Sequence, residues 1–179
     1  MNDAFKLIEE SKQGGFARLE GANLEGAGLE GADLEDADLA GANLKRSYLT
    51  GANLQGADLE GAILSRANLV GADLRGAYIG FANLSRANLA SAVLVGACAL
   101  ESDLEGANLG HADLEGAILA GADLSRANLE GADLEDAHLV GAHLYKANLV
   151  GANLVGADLT GAWLRDTRID GHIINPTNQ

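Results

Sequence analysis

The sequence predicts an all-β solenoid with four sides to each turn, and three observations lead to this prediction. A five-residue unit, Ala-(Asn/Asp)-Leu-x-Gly, recurs from Ala17 to Gly171 without insertion or deletion. Five residues advance about 500° around an α-helix, so the leucines would wind around a helix instead of sharing one face. The basic residues that replace the unit's glycine are all separated by multiples of 20, which indicates that four units make one turn.

The leucine is the centre of each unit, and its position predicts the local geometry. There are 31 centres, at every residue number ending in 4 or 9 from Leu19 to Ile169, and all are Leu except Ile79, Ala99 and Ile169. In a straight strand an odd repeat would place successive leucines on opposite faces. We therefore expect each unit to be a three-residue strand that points both apolar positions inward, followed by a two-residue corner.

With this motif the sequence resembles the pentapeptide-repeat family over about 155 of its 179 residues. The resemblance implies a right-handed quadrilateral parallel β-helix. With neighbouring strands about 4.8 Å apart, the units would form nearly eight coils and a rod about 37 Å long. The predicted domains are an N-terminal capping helix over 1–15, the pentapeptide-repeat β-helix over 16–171 and a C-terminal tail over 172–179.

The stretch before the repeat predicts a short N-terminal capping α-helix. Asn2 or Asp3 would cap its N-terminus, Phe5 and Ile8 lie on one side, and the glycines at 14–15 would end it. We expect the helix to cover the leucines of the first coil and to block edge pairing there. The alternative is a docking helix for a partner.

The composition is strongly acidic, with 26 Asp and Glu against 12 Lys and Arg and a formal net charge of −14. This charge argues against direct binding of nucleic acid or an anionic membrane by the whole rod and favours a protein partner with a basic surface. The sequence has no apolar run that could span a bilayer and no secretion-signal core, which predicts a cytoplasmic protein. Cys98 is the single cysteine, so no intramolecular disulfide is expected.

Sorting the outward residues by the 20-residue period assigns charge to particular sides of the rod. The side centred on Leu34 and Leu154, which we call the acidic face, carries a single base, Arg75, and nine acids: Asp33, Glu35, Asp36, Asp73, Asp113, Glu115, Asp133, Glu135 and Asp136. The next side adds Glu20, Asp38, Asp58, Glu60, Glu101 and Asp158. Acids on a solvated face keep a rod soluble, and the alternative is that they bind a partner.

Five basic residues share the corner that we call the basic corner: Arg46, Arg66, Arg86, Arg126 and Lys146. Stacking of these side chains is the structural explanation for the column. Glycine at this position permits the positive φ of a type II turn, whereas arginine disfavours it. We therefore predict a different turn type along this corner.

The repeat is irregular at Ala99, where the central leucine is replaced and a leucine follows one place late, at Leu100. Either Leu100 points to solvent or a local bulge turns it inward. Apolar residues gather at the outward positions nearby and form what we call the apolar patch: Tyr78, Phe81, Val93, Val95, Cys98, Leu100, Ile118 and Val140. Such a patch, bordered by acids, is typical of an interaction site, although β-branched and aromatic residues also simply suit strands.

A smaller apolar group lies near the C-terminus and comprises Tyr145, Val150, Val155 and Trp163. Ile169, Ile173 and Ile174 would close the last coil. The group is either an end cap or the contact of an end-to-end homodimer through the C-terminal coils, so both monomer and homodimer are open.

No catalytic, cofactor or metal site is predicted. His143 shares an outward column with Asp123, and His138 shares one with Asp158, but a single Asp-His contact lacks the three or four ligands of a zinc site. A convex rod with a filled core offers no Ser-His-Asp set, no phosphate-binding glycine loop and no concave pocket. An enzyme is therefore not expected.

The leading functional hypothesis is a non-enzymatic interaction or scaffold protein that presents the apolar patch to another protein. The resemblance implies an alternative, because the quinolone-resistance members look like rods of DNA and bind DNA gyrase or topoisomerase IV. Here one charge falls about every 2.6 Å of rod, against about 1.7 Å for duplex DNA. The loops and C-terminal dimerisation segment of several such members are not evident, and a structural protein without a specific partner is the third hypothesis.

Overall fold

The chain folds into a four-sided β-helix in which every coil is 20 residues long. The computed structural model describes residues 3–11, 15–170 and 172–174. Parallel β-bridges join each outward residue to the residue 20 positions later, from the Arg18–Asp38 pair to the Asn148–Arg168 pair. The prediction that four units make one turn is confirmed, since each of the four outward columns repeats at this interval.

The backbone hydrogen bonds explain why a five-residue unit is stable without long strands. In a typical unit, the amide of Leu74 donates to Val93 O at 2.7 Å, one coil further on. The amide of Asp73 donates to Ala52 O at 2.9 Å, one coil back. The amide of Ala77 donates to Leu74 O at 3.0 Å and closes the corner as a turn. Each unit thus satisfies its backbone groups with its two neighbours and its own corner.

The central leucines form one continuous buried column. Every centre from Leu19 to Leu149 is at most 3% exposed, and the alanines two positions before most of them lie buried at the corners. The last described coil is less protected, because Leu154, Leu159, Leu164 and Ile169 are only partly buried. The core is therefore a column of side chains, and the chemistry available to partners lies on its outside.

Three hydroxyl residues replace the corner alanine and lie buried. Ser102 Oγ donates to Ala99 O at 2.9 Å, and Thr167 Oγ1 donates to Leu144 O at 2.6 Å. Ser47 is 1% exposed, and its Oγ has no hydrogen-bond partner within the described residues. A buried hydroxyl without a partner has lost its hydration without compensation, so Ser47 weakens the core.

Replacing Ser47 with alanine is expected to raise the free energy of unfolding by about 1 kcal/mol or more, because the unpaired hydroxyl is removed. Ser102→Ala is the matched control, and it should lower this free energy by about 1 kcal/mol, because it deletes a formed hydrogen bond. Urea denaturation followed by circular dichroism measures both. Equal effects of the two substitutions would contradict the assignment.

An α-helix, α1 (Asp3–Ser11), precedes the first coil, as predicted. Ile8 is 2% exposed and packs into the same core cluster as Leu19 and Leu24. Lys6 and Glu10 form an exposed ion pair at 3.5 Å. Asn2, Gly14 and the side chain of Phe5, which the sequence also assigned to this helix, lie outside what the structure describes. No helix in the described ranges has the length and apolar character that crossing a bilayer requires.

The C-terminal end of the described chain is a short antiparallel pair. Strand β1 (Thr167–Ile169) pairs with β2 (His172–Ile174), with Arg168 opposite Ile173. The chain thus turns back on itself after Ile169 instead of continuing the parallel ladder. Of the predicted tail over 172–179, the structure describes the backbone of the three residues of β2.

The prediction of a different turn type along the basic corner is wrong. Arg46, Arg66, Arg86, Arg126 and Lys146 have φ between 57° and 61°, close to the 61° to 71° of the corner glycines. The reason is that hydrogen bonds on both sides fix the corner. For Arg66, its amide donates to the next coil at 3.0 Å and the following amide closes the turn at 2.9 Å. The ladder imposes the left-handed conformation even where it costs about 1–2 kcal/mol.

Candidate functional site

The apolar patch spans one side of the rod, the two corners that border it and one position of the acidic face, Val93. Tyr78, Cys98 and Ile118 lie in consecutive coils and are joined by parallel bridges. Five members have exposed side chains, namely Tyr78, Phe81, Leu100, Ile118 and Val140. The other three are half-buried, namely Val93, Val95 and Cys98. The structure therefore places the eight predicted residues on adjoining surfaces.

Phe81 is the most unusual residue of the patch. It occupies a corner with φ of 56°, and its side chain is 55% exposed. Within the described residues, every other non-glycine residue with positive φ is polar or charged. A bulky apolar residue is disfavoured in this conformation, and glycine fills most equivalent corners. An exposed aromatic residue held in a strained backbone conformation is a feature that stability alone does not explain.

In the irregular unit around Ala99, the side chain of Leu100 points outward. Ala99 keeps the core position at 1% exposed, and Leu100 is 36% exposed at the corner. The ladder continues unchanged, because Ala99 N donates to Ile118 O at 2.8 Å and Phe81 N donates to Leu100 O at 2.9 Å. A bulge would have moved the later leucines out of register, so the intact ladder places Leu100 on the surface.

Acidic residues border the patch. Asp58 precedes Tyr78 in the same outward column, and the Asp58–Tyr78 bridge places the carboxylate one coil away from the ring. Glu60 and Glu101 lie at the corner beside Phe81, and neither pairs with a base within the described chain. The patch therefore combines an apolar centre with carboxylates at its edge, which is the usual anatomy of a protein interface.

The acidic face contains two equivalent clusters five coils apart. The side-chain amide of Asn53 donates to Asp33 at 3.2 Å and to Glu35 at 3.3 Å. In the second cluster the amide of Asn153 donates to Asp133 at 3.0 Å and to Glu135 at 3.1 Å. These amides reduce the repulsion between stacked carboxylates, and Asp36, Asp113, Glu115 and Asp136 lie on the same side.

The middle of the acidic face is less acidic than its ends. Arg75 forms an ion pair with Asp73, and this hydrogen-bonded guanidinium lowers the pKa of the Asp73 carboxyl from 3.8 to about 2. Gln55 also donates to Asp73, at 3.0 Å. The next residue in the column is Val93. The nine predicted acids thus lie on one side, but a neutral stretch divides them.

The basic corner contains a groove that the sequence prediction of no concave pocket missed. The groove is open to solvent, has a volume of about 360 Å³ and is lined by Lys45, Arg46, Ser65, Arg66, Ser85, Arg86, Asp103 and Glu105. The prediction was wrong because it considered only the backbone of a convex rod. Long basic side chains that stand beside short serines create a concave surface at the corner. The 20-residue period of the arginines, together with the small residues beside them, is the sequence signal for it.

The histidines lie where the period places them. Asp123 is bridged to His143, and His138 to Asp158. Hydrogen bonds from Thr160, followed by the neighbouring His138, lower the pKa of Asp158. The described residues include no group of three or more side chains placed to hold a metal ion.

Comparison with protein families identifies the repeat. The sequence matches the family described as pentapeptide repeats in eight copies. The matched segments are 17–56, 27–66, 42–79, 67–99, 101–139 and 132–171. The matches therefore cover nearly the whole of the solenoid.

Solved structures that are similar to this chain include the following three. HetL, a pentapeptide repeat protein involved in heterocyst differentiation regulation in the cyanobacterium Nostoc sp. strain PCC 7120, is 34% identical, with 88% of this chain and 87% of HetL covered at a TM-score of 0.50. A pentapeptide repeat protein of the Arabidopsis thaliana thylakoid lumen is 35% identical. The match covers 65% of this chain and 71% of that protein, at a TM-score of 0.37. QnrB1, a plasmid-mediated fluoroquinolone resistance protein, is 18% identical. The match covers 88% of this chain and 83% of QnrB1, at a TM-score of 0.38. Comparison with curated proteins gave no significant match.

Proposed function

This chain belongs to the pentapeptide-repeat family, and from that premise we propose that it is a non-enzymatic scaffold that binds another protein through the apolar patch. Its fold is a right-handed quadrilateral parallel β-helix with a filled core. A filled core leaves the outer walls as the functional surface. HetL, which has the same repeat, is involved in regulation, and a regulator that acts by binding other proteins is consistent with this proposal.

The single observation that carries the proposal is that Phe81 is exposed and has a positive φ. A glycine at this corner would relieve the strain of the positive φ and would remove an exposed aromatic ring from water. The strain is localised beside Tyr78 and Leu100, where exposed apolar area is also concentrated. Aromatic residues surrounded by a polar border are the residues that most often dominate protein interfaces.

The chemistry of the patch defines the partner's surface. Tyr78 and Ile118 are two coils apart, which is about 10 Å along the rod. Asp58, Glu60 and Glu101 supply negative charge at the border. We therefore expect the partner to insert one or two apolar side chains between lysines or arginines, which would steer association with the border carboxylates.

The triple variant Tyr78→Ser, Phe81→Ser and Leu100→Ser tests this proposal in affinity capture from native lysate. A matched control is Tyr48→Ser with Ile63→Ser, since these exposed apolar residues lie on other sides of the rod. Proteins captured by the wild type and the control should be lost with the triple variant. An unchanged set of captured proteins would end the proposal.

Phe81→Gly separates function from folding. Glycine is the usual residue at this corner position, so we expect thermal stability to be maintained or raised while partner binding weakens. Thermal unfolding and capture of the partner identified with the wild type are measured on the same protein. A loss of stability with unchanged binding would assign Phe81 a purely structural role.

A DNA-mimicking modulator of DNA gyrase or topoisomerase IV is the second candidate, favoured by nine acids on one side of the rod. Asp33, Asp73, Asp113 and Asp133 share one outward column. The Asp73–Arg75 pair and Val93 weigh against it, because they interrupt the negative charge. A gyrase supercoiling assay distinguishes the two candidates, since a mimic should inhibit or protect the enzyme at micromolar concentration. No effect on supercoiling would exclude this candidate.

The C-terminal coils support an end-to-end homodimer as the mode of self-association. Leu154, Leu159 and Leu164 are partly exposed, and Val155 and Trp163 are among the most exposed apolar residues described. Joining two such ends would bury this apolar surface of the last coils. Light scattering measures the mass directly, and a monomer at high concentration would remove this mode.

A further inference from the structure

We propose that the groove along the basic corner binds an oligophosphate, meaning a linear chain of phosphoryl groups. The groove lies at a corner that includes no residue of the apolar patch, so this site is independent of the proposed protein interface. Four positive charges line it, from Lys45, Arg46, Arg66 and Arg86. The surrounding protein has a net charge of −14, so a concentrated positive site needs its own explanation.

The three arginines of the groove lack the compensation that other members of the basic corner have. Arg126 pairs with Glu105 at 3.5 Å, and the Lys146 ammonium lies 4.9 Å from the Tyr145 ring centroid. By contrast, the described residues provide no ion pair for any of the three groove arginines. Their coils follow one another at about 4.8 Å, so like charges repel along the column unless an anion lies between them.

The backbone adds a second cost at the same three positions. Arg46, Arg66 and Arg86 adopt φ of 57°, 60° and 57°, where glycine would fit without strain. Strained residues that also repel one another in three consecutive coils are not favoured by folding. The ladder imposes this conformation at every corner, and a bound anion accounts for the column of like charges, because it makes their proximity favourable.

The two serines of the groove provide room, and one of them provides a hydrogen-bond donor. Ser85 Oγ donates to Asn83 Oδ1 at 2.6 Å. The Ser65 hydroxyl forms no hydrogen bond with any described residue, so it is free to donate to a ligand oxygen. Asp103 and Glu105 line the end of the groove next to Arg86. Their negative charge favours an anion bound near Arg46 and Arg66.

The spacing of the charges favours a chain of phosphoryl groups over one isolated phosphate. A guanidinium binds phosphoryl oxygens through two parallel hydrogen bonds, and successive coils present such groups in line. An extended oligophosphate can place a phosphoryl oxygen beside the arginine of each coil, whereas a single phosphate can contact the arginines of only one or two coils. The lining residues include no aromatic side chain on which a base could stack. The groove should therefore bind inorganic triphosphate and the triphosphate of ATP with similar affinity.

Isothermal titration with inorganic triphosphate, without added metal, tests the proposal on the full chain. Arg66→Gly should weaken binding about tenfold or more, because a charged hydrogen-bonding group is lost. Lys146→Gly is the matched control, because it makes the same charge change at the same corner outside the groove, and it should weaken binding less than twofold. Glycine is the usual residue at this corner position, and thermal unfolding verifies that both variants remain folded. Arg66→Gln provides a second test that keeps a side chain at the site.

Binding should weaken with added salt, and ATP should match inorganic triphosphate. A much higher affinity for ATP would mean that the nucleoside is recognised, and it would overturn the assignment to the phosphoryl chain alone. Citrate with equal affinity would show that the groove senses only charge. The absence of saturable binding at millimolar triphosphate, or equal losses in Arg66→Gly and Lys146→Gly, would also overturn the proposal.

Discussion

Replacing Leu74 with alanine is expected to lower the free energy of unfolding by about 2.7–5 kcal/mol. Leu74 is 0% exposed, and its unit is bonded to the coils that contain Leu54 and Leu94. The coils cannot collapse onto the missing side chain, because the backbone hydrogen bonds hold them at a fixed spacing. The cost is therefore the lost burial plus a residual cavity.

The matched control for this substitution is Leu100→Ala, where the same atoms are removed from a side chain that is 36% exposed. We expect it to cost about 1 kcal/mol, because the side chain already lies partly in water and its removal leaves no enclosed cavity. Equilibrium denaturation in urea measures both variants. Similar losses at the two positions would contradict a core built from the central leucines.

Replacing Ala99 with leucine is expected to raise the free energy of unfolding by about 1–2 kcal/mol. Ala99 lies at a core centre that every neighbouring coil fills with a larger residue, including Ile79 and Leu119 in the same column. A leucine there would restore the regular layer and bury additional methyl and methylene groups. Leu100 already lies outside, so it does not compete for the space.

Ala97→Leu is the control for this gain, because it makes the same change two residues earlier. Ala97 lies at the corner and is 0% exposed. An enlarged side chain at this position must displace the backbone of the turn, and we expect a loss of about 1–3 kcal/mol. If Ala99→Leu also destabilised the protein, the core would have closed around the small residue and the expected space would be absent.

These substitutions also bear on function, because the rod displays its surface groups at fixed intervals. Tyr78, Cys98 and Ile118 form one column, and Arg46, Arg66 and Arg86 form another at a separate corner. Each column depends on its own coils and their neighbours, since contacts in a solenoid are made between adjacent repeats. Variants of the patch and of the groove can therefore be combined and interpreted separately.

The sequence was sufficient for the fold because each inference rested on a regular interval. The central leucines predicted the buried column, and the spacing of Arg46, Arg66 and Arg86 predicted four units per turn, as the ladder confirms. The eight residues of the apolar patch and the nine of the acidic face were sorted to their sides by the same interval. The assignment of these surfaces to partners stays a prediction.

The predictions that depended on the conformational preference of a single residue were less successful. Arginine disfavours positive φ, yet the basic corner adopts it, because two hydrogen bonds per corner outweigh the preference of one residue. The choice between an outward Leu100 and a bulge was open until the intact ladder decided it. The sequence likewise did not show that the Ser47 hydroxyl is unpaired, because Ser102 occupies an equivalent position and forms a hydrogen bond.

The sequence by itself determined the period, the number of sides and the residues that point inward, because a repeat with one buried position per unit has few ways to close. Only the tertiary structure decided which surface charges are compensated, where a groove forms beside Ser65 and that Phe81 is held in a strained corner. These features arise from contacts between residues 20 positions apart and from side-chain shape. No local pattern of five residues specifies either.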